Sequence, residues 1–213
     1  MRTRQPENPG TCSLCGAGST PRKILSHLAT CAPAHDAPGR GRTLVQLRFR
    51  PAGGSRYWLH LEAGADAPLE DVDALLRNVW LECCGHLSAF FVGREELSME
   101  AKVGSVLAVP GFRFDYKYDF GSTTVLAGAV VGTRKGSLGT VQARLLARNN
   151  FAPEPCSKCS APASVLCTVC LESGEAEKAF FCDQHSQDHH CSTWETFLPV
   201  VNSPRMGVCG YSG

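Results

Sequence analysis

The chain has 213 residues, 43% of them apolar and 19% charged, with a formal net charge of +1. That is the composition of a globular protein long enough for one large domain or two small ones. No apolar run reaches the roughly 18 residues needed to span a bilayer, and Met1–Gly10 is too polar for a signal peptide, so no membrane partner and a cytoplasmic location are expected.

Twelve cysteines are many for a reducing compartment, where metal ligation is favoured over disulfides. Three lie before residue 32 and seven after residue 155, with Cys83 and Cys84 between. Charge is also uneven. Residues 1–50 carry eight Lys/Arg against two Asp/Glu, residues 51–150 ten against eleven, and residues 151–213 three against seven. Only the N-terminal piece has a basic, phosphate-seeking footprint.

The first predicted element is a zinc finger over residues 1–31, with ligands Cys12, Cys15, His27 and Cys31. A Cys-x2-Cys pair makes a tight knuckle that presents two thiolates to one ion. His27 and Cys31 are four apart and share one face of a helix. That helix is predicted to take Thr20 as N-cap and Pro21 as its first residue. A unit this small lacks a sufficient core, so the metal is expected to supply much of its folding energy. Arg22 and Lys23 stand at the helix start, where a finger that enters the DNA major groove places its base contacts. A protein-binding knuckle is the equal alternative. Residues 32–42 (APAHDAPGRGR) are predicted to be a flexible linker.

Residues 43–150 read as an α+β domain with a mostly antiparallel sheet and one main helix. Leu44–Phe49 and Tyr57–Leu61 partly alternate around Arg50–Ser55, a hairpin pattern. Leu69–Cys84 has apolar residues at helical spacing, an acidic first turn and Gly85 as C-cap. Strands are expected at Leu87–Val92, Phe112–Tyr118, Thr123–Val131 and Thr140–Leu146. Cys83 and Cys84 close the apolar helix and read as core. His60 alternates with Leu59 and Leu61 and reads as solvent-facing. His86 follows the helix cap, and Asp119 starts a turn before Gly121. Neither a phosphate loop, a nucleophile elbow nor a His-Glu-x-x-His run is present. No catalytic residue or bound organic cofactor is predicted, and the chain is not expected to be an enzyme.

The run from Phe112 to Gly121, the strand with Tyr57-Trp-Leu-His-Leu and the run from His86 to Phe91 resemble the plasmid pRi open-reading-frame-three-like family. That family is also labelled insertion-element passenger protein of TnpR type. The tail from Asn202 to Tyr211 looks like a motif of relatives with flanking zinc clusters. The resemblance covers about residues 43–147. It implies an α+β fold and an association with mobile elements or regulation; it does not imply recombinase activity. The sequence departs from the family after Gly121, with Ser122-Thr-Thr-Val-Leu where the family has an acidic residue, Trp and His.

Residues 151–213 carry Cys156-x2-Cys159, Cys167-x2-Cys170, Cys182-x2-His185 and His189-His190-Cys191. Four ligand pairs in so short a stretch predict a two-zinc module. Interleaved pairing gives one set of Cys156, Cys159, Cys182 and His185, and a second of Cys167, Cys170, His189 and Cys191. His190 is the alternative to His189, and sequential pairing of the first two pairs remains open. The order of pairs and the Phe180-Phe181-Cys182 entry resemble B-box and MYND-type modules, which implies a protein partner. Three Zn²⁺ ions are expected in all. The functional expectation is a non-enzymatic zinc-binding adaptor, with a nucleic-acid-binding regulator using the N-terminal finger as the alternative.

Overall fold

A computed structural model describes residues 8–53, 56–191 and 197–213. The expected hairpin loop Arg50–Ser55 lies partly outside the described residues. The chain forms two compact units: Met1–Val79 with His86–Asn150, and Trp80–Gly85 with Phe151–Gly213. The fold is α+β, with a large antiparallel sheet and few helices.

In chain order, the first unit contains β1 (Gly10–Cys12), β2 (Gly18–Ser19), α1 (Ile24–Ala34), β3 (Arg42–Pro51), β4 (Leu59–Gly64) and α2 (Leu69–Leu76). A wider π-helical turn, Arg77–Leu81, follows α2. Then come β5 (Ser88–Val92), β6 (Glu95–Leu97), α3 (Val103–Val106), β7 (Arg113–Tyr118), β8 (Thr124–Gly136) and β9 (Ala143–Asn149). The nine strands make one sheet in the order β2-β1-β9-β4-β3-β8-β7-β5-β6. The hairpin β3–β4 pairs Leu44 with Gly64 through to Phe49 with Leu59. The predicted helix from Leu69 is regular only to Leu76, and the wider turn carries it to Leu81.

Alternation explains β7. Phe114, Tyr116 and Tyr118 are buried, while Arg113, Asp115 and Lys117 take the other face. The Tyr116 hydroxyl donates to Asp73 of α2 at 2.7 Å, and Ser88 Oγ donates to the same carboxylate at 2.6 Å. Tyr116 is thus a buried tie between helix and sheet, and burial with the Asp73 charge pushes its phenol far up.

β4 departs from the alternating expectation. It lies between β3 and β9 and is buried on both faces. His60, expected at the surface, is 2% exposed. Alternation identifies a solvent face only where one side of a sheet is bare. Burial, then Arg48 and Arg50, bring the His60 imidazole down to about 3, so the ring stays neutral.

Glu62 on the same strand is fully buried and takes two arginines. Arg134 of β8 grips it at 2.9 Å through Nε and 2.7 Å through Nη2; Arg144 of β9 donates through Nε at 2.8 Å. Arg134 also makes a paired contact with Asp36 at 2.6 and 3.0 Å. Arg144 donates to the carbonyls of Ala32 and His35 at 3.1 and 2.6 Å, meeting orphan acceptors at the end of α1. These contacts fall within 32–42, the segment expected from composition to be a tether. Helix α1 runs on to Ala34, and Asp36 is held by ions of the sheet. Nor does the N-terminal segment stand apart. β1 pairs with β9, with Cys12 opposite Ala147.

The second unit carries β10 (Val165–Cys167), α4 (Thr168–Glu172), a short 3₁₀ turn (Ala176–Lys178), β11 (Phe180–Phe181), α5 (Asp183–Gln187) and β12 (Phe197–Pro199). Its small sheet runs β11-β10-β12. Leu166, Ala163 and Val200 form its core with Leu171, Phe180, Leu198 and Met206. Ser203 Oγ donates to the Trp80 carbonyl at 2.5 Å, fixing the C-terminal tail to segment 80–85. At Gly207 φ is +81°, a left-handed backbone that favours glycine, and a Cβ there would also push on Leu171 Cδ2 at 2.5 Å.

Glu62→Gln is expected to destabilise the first unit by about 3 kcal/mol, because it strands two largely buried guanidiniums; chemical denaturation measures this. Hydrogen bonds from Arg134 hold the Asp36 carboxyl below its usual range. A carboxylate depressed in the folded state stabilises above its unfolded pKa and loses that contribution as pH falls through the folded one. The stability gap between the parent and Asp36→Asn should therefore be full at pH 7 and shrink as pH falls below about 4.

Candidate metal centres

The N-terminal set begins at the end of a strand. Cys12 closes β1, and the chain folds back at once: Gly16 N–H donates to the Cys12 carbonyl and Cys12 N–H to the Ala17 carbonyl, both at 2.9 Å. This knuckle aims Cys12 and Cys15 at one point. Thr20 does not cap the helix as expected; its carbonyl accepts from Lys23 and Ile24 in a preceding turn, and α1 starts at Ile24. Ile24, Leu28, Cys31 and Ala32 face inward against Trp58, Leu146 and Ala147. Gly10 permits this packing, since a Cβ there would lie 2.3 Å from both Trp58 and the Arg148 carbonyl. His27 and Cys31 then stand one turn apart over the knuckle.

The distances are those of a shared ion. Around zinc, tetrahedral bonds of ordinary length place two sulfurs about 3.8 Å apart and a sulfur and a nitrogen about 3.6 Å apart. Here Cys12 Sγ and Cys31 Sγ are 3.8 Å apart, and Cys15 Sγ lies 3.4 Å from His27 Nε2. A disulfide would need about 2.05 Å, and no described cysteine forms one. Burial and the neighbouring thiols push Cys31 up to about 12, while the Ala17 N–H draws Cys15 down. One thiol thus holds its proton until a cation replaces it.

The second unit repeats the device. Cys156 N–H donates to the Ala161 carbonyl at 2.8 Å, the same five-residue closure as Cys12 with Ala17. Burial raises the Cys156 thiol, but the N–H groups of Cys182, Lys158 and Cys159 outweigh it and bring it to about 6. Cys182 lies just before α5, so His185 falls on its side one turn later. Cys156, Cys159, Cys182 and His185 converge, with His185 Nδ1 at 3.3 Å from Cys182 Sγ and 3.6 Å from Cys156 Sγ.

Cys167 and Cys170 use α4 in the same way. They converge with His189 and Cys191, at 3.4 Å for Cys167–Cys191 and 3.4 Å for Cys170 to His189 Nε2. The arrangement present is therefore interleaved, not sequential. His189 is selected by packing. Its ring lies on Phe181 at 4.2 Å and meets Phe197 edge-on at 5.9 Å.

The structure also gathers the three remaining cysteines. Cys83 and Cys84 are not core: Cys83 is half-buried and Cys84 exposed. Cys84 Sγ lies 3.5 Å from Cys83 Sγ and 3.5 Å from Cys209 Sγ. These three thiols of the second unit make a further group able to hold an ion. Mutual hydrogen bonding among the three thiols pushes Cys84 up to about 12. The available signal was arithmetic. Nine of twelve cysteines fill the three recognised sets, and the remaining three accompany a Cys-Cys-Gly-His run. Asp119 makes the turn expected of it: φ is +63°, and its carboxylate accepts from Gly121 and Ser122.

The chemistry open to each of the three predicted sets is soft, four-coordinate metal binding, with all four ligand atoms within 4.8 Å of one another. His189→Gln is expected to cost one equivalent of bound metal, while His190→Gln leaves the count unchanged; metal analysis of the purified variants distinguishes them.

No family model and no curated protein matches this chain. Among solved structures, a protein of unknown function from Methanosarcina mazei Go1 is similar at a TM-score of 0.42 and 15% identity, over 50% of this chain and 68% of that one. A likeness of that size carries no argument about function.

Proposed function

We propose that the protein is a non-enzymatic zinc-binding adaptor, in which Zn²⁺ holds the N-terminal set and the two interleaved sets of the second unit. The observation that carries this reading is closure. Each set offers four protein ligands to one point, and a catalytic zinc site keeps a coordination position for water or substrate. The donors are thiols and imidazoles, which suit zinc over hard cations. The ions are structural in this reading, and function lies on the surfaces they keep in shape. The acidic balance of residues 151–213 favours protein over phosphate as the partner of the second unit. The exposed Leu87 and Phe120 supply apolar contact area in the first.

Arg22 and Lys23 are exposed at the start of α1, which keeps nucleic acid as the competing reading. Native mass spectrometry should find zinc in these sets, and chelation should abolish cooperative unfolding of the second unit. A gel-shift series at low salt should show no DNA or RNA binding. Salt-dependent binding lost in an Arg22→Ala/Lys23→Ala variant would replace the adaptor reading with a nucleic-acid-binding one.

A further inference from the structure

We propose that the thiols of Cys83, Cys84 and Cys209, all in the second unit, form a fourth zinc site, and that its ion exchanges before the other three. The proposal adds to the zinc reading above and rests on a separate set of residues.

The local chain is shaped for it. Consecutive side chains normally diverge, yet Cys83 and Cys84 present their sulfurs 3.5 Å apart. They do so because the helix ends in a wider turn at Leu81 and the chain then bends sharply. The Gly85 N–H donates to the Glu82 carboxylate at 2.6 Å, and Gly85 takes φ +74°.

Cys209 is delivered by the tail. Ser203 binds the Trp80 carbonyl, and successive turns follow, with Val208 N–H donating to Arg205 and Tyr211 N–H to Val208. Between Gly207 and Gly210, Cys209 itself adopts φ +52°. Asp119 and Cys209 are the two non-glycine residues with positive φ among those described. Left-handed backbone at a bulky residue costs free energy and is kept where the surroundings demand it. Cys209 supplies a sulfur to this set.

Exposure sets the order of exchange. Each of the other three sets contains at least one buried sulfur, whereas none of these three thiols is buried. Water and competing ligands reach this set first.

The test uses the full chain. Native mass spectrometry of zinc-loaded protein should show four zinc ions, and Cys209→Ser should show three. During chelation of the parent protein, one equivalent should leave in a first phase. Alkylation mapped by peptide mass should mark Cys83, Cys84 and Cys209 in that phase, ahead of the other nine. The chelation arm needs no variant and stands even if Cys209→Ser folds poorly. Three ions in the parent, first labelling at other cysteines, or a Cys84–Cys209 disulfide in protein prepared without reductant would each overturn the fourth site. The first of these leaves the three-ion reading intact, and a count of zero overturns both.

Discussion

The constraint on which the rest depends is the convergence of thiol groups on a few points. Thiols brought this close cannot all ionise unaided, because each thiolate raises the cost of the next. Burial and then the neighbouring thiols push Cys31 and Cys191 up to about 12, and hydrogen bonding with Cys83 and Cys209 does the same to Cys84. A cation at the centre reverses the sign of the interaction. Repulsion among the ligands becomes attraction to a common ion, and the protons leave. Short elements such as β11, with two residues, and α5, with five, would gain from such an ion a stability that their own burial is too small to provide.

The two units answer that constraint differently. In the first, the ligand set is one feature of a nine-stranded sheet that has its own aromatic core and a buried ion network around Glu62. The finger-like segment is grafted on the sheet edge through β1 and β9, and Arg144 ties its helix end down. In the second unit little apolar mass is present, and the cysteines themselves are among the buried core residues. Ligation and packing there are one task.

The ligand sets of the two termini were legible because metal spacing is local. Cys-x2-Cys knuckles and i,i+4 pairs are fixed by a few residues, and no distant information is needed to read them. The mostly antiparallel sheet was legible for the same reason, through alternation in Phe112–Tyr118. What failed was whatever depends on neighbours in space. His60 alternates like a surface residue, yet β4 is central and covered on both sides. Residues 32–42 have the composition of a linker, yet Asp36 meets Arg134 across 98 positions. Cys83 and Cys84 close an apolar helix, and their partner lies 125 residues on from Cys84. Length of separation, more than chemistry, divides what was read from what was missed.

Interleaving in the second unit has a topological consequence. The stretch from Cys159 to Cys182, which spans one set, contains Cys167 and Cys170 of the other; the stretch from Cys170 to His189 contains Cys182 and His185 of the first. Each set is therefore strung along the loop that the other closes. An ion in one set would restrict the chain that the other must close, so metal uptake by the two sets would be coupled through chain entropy.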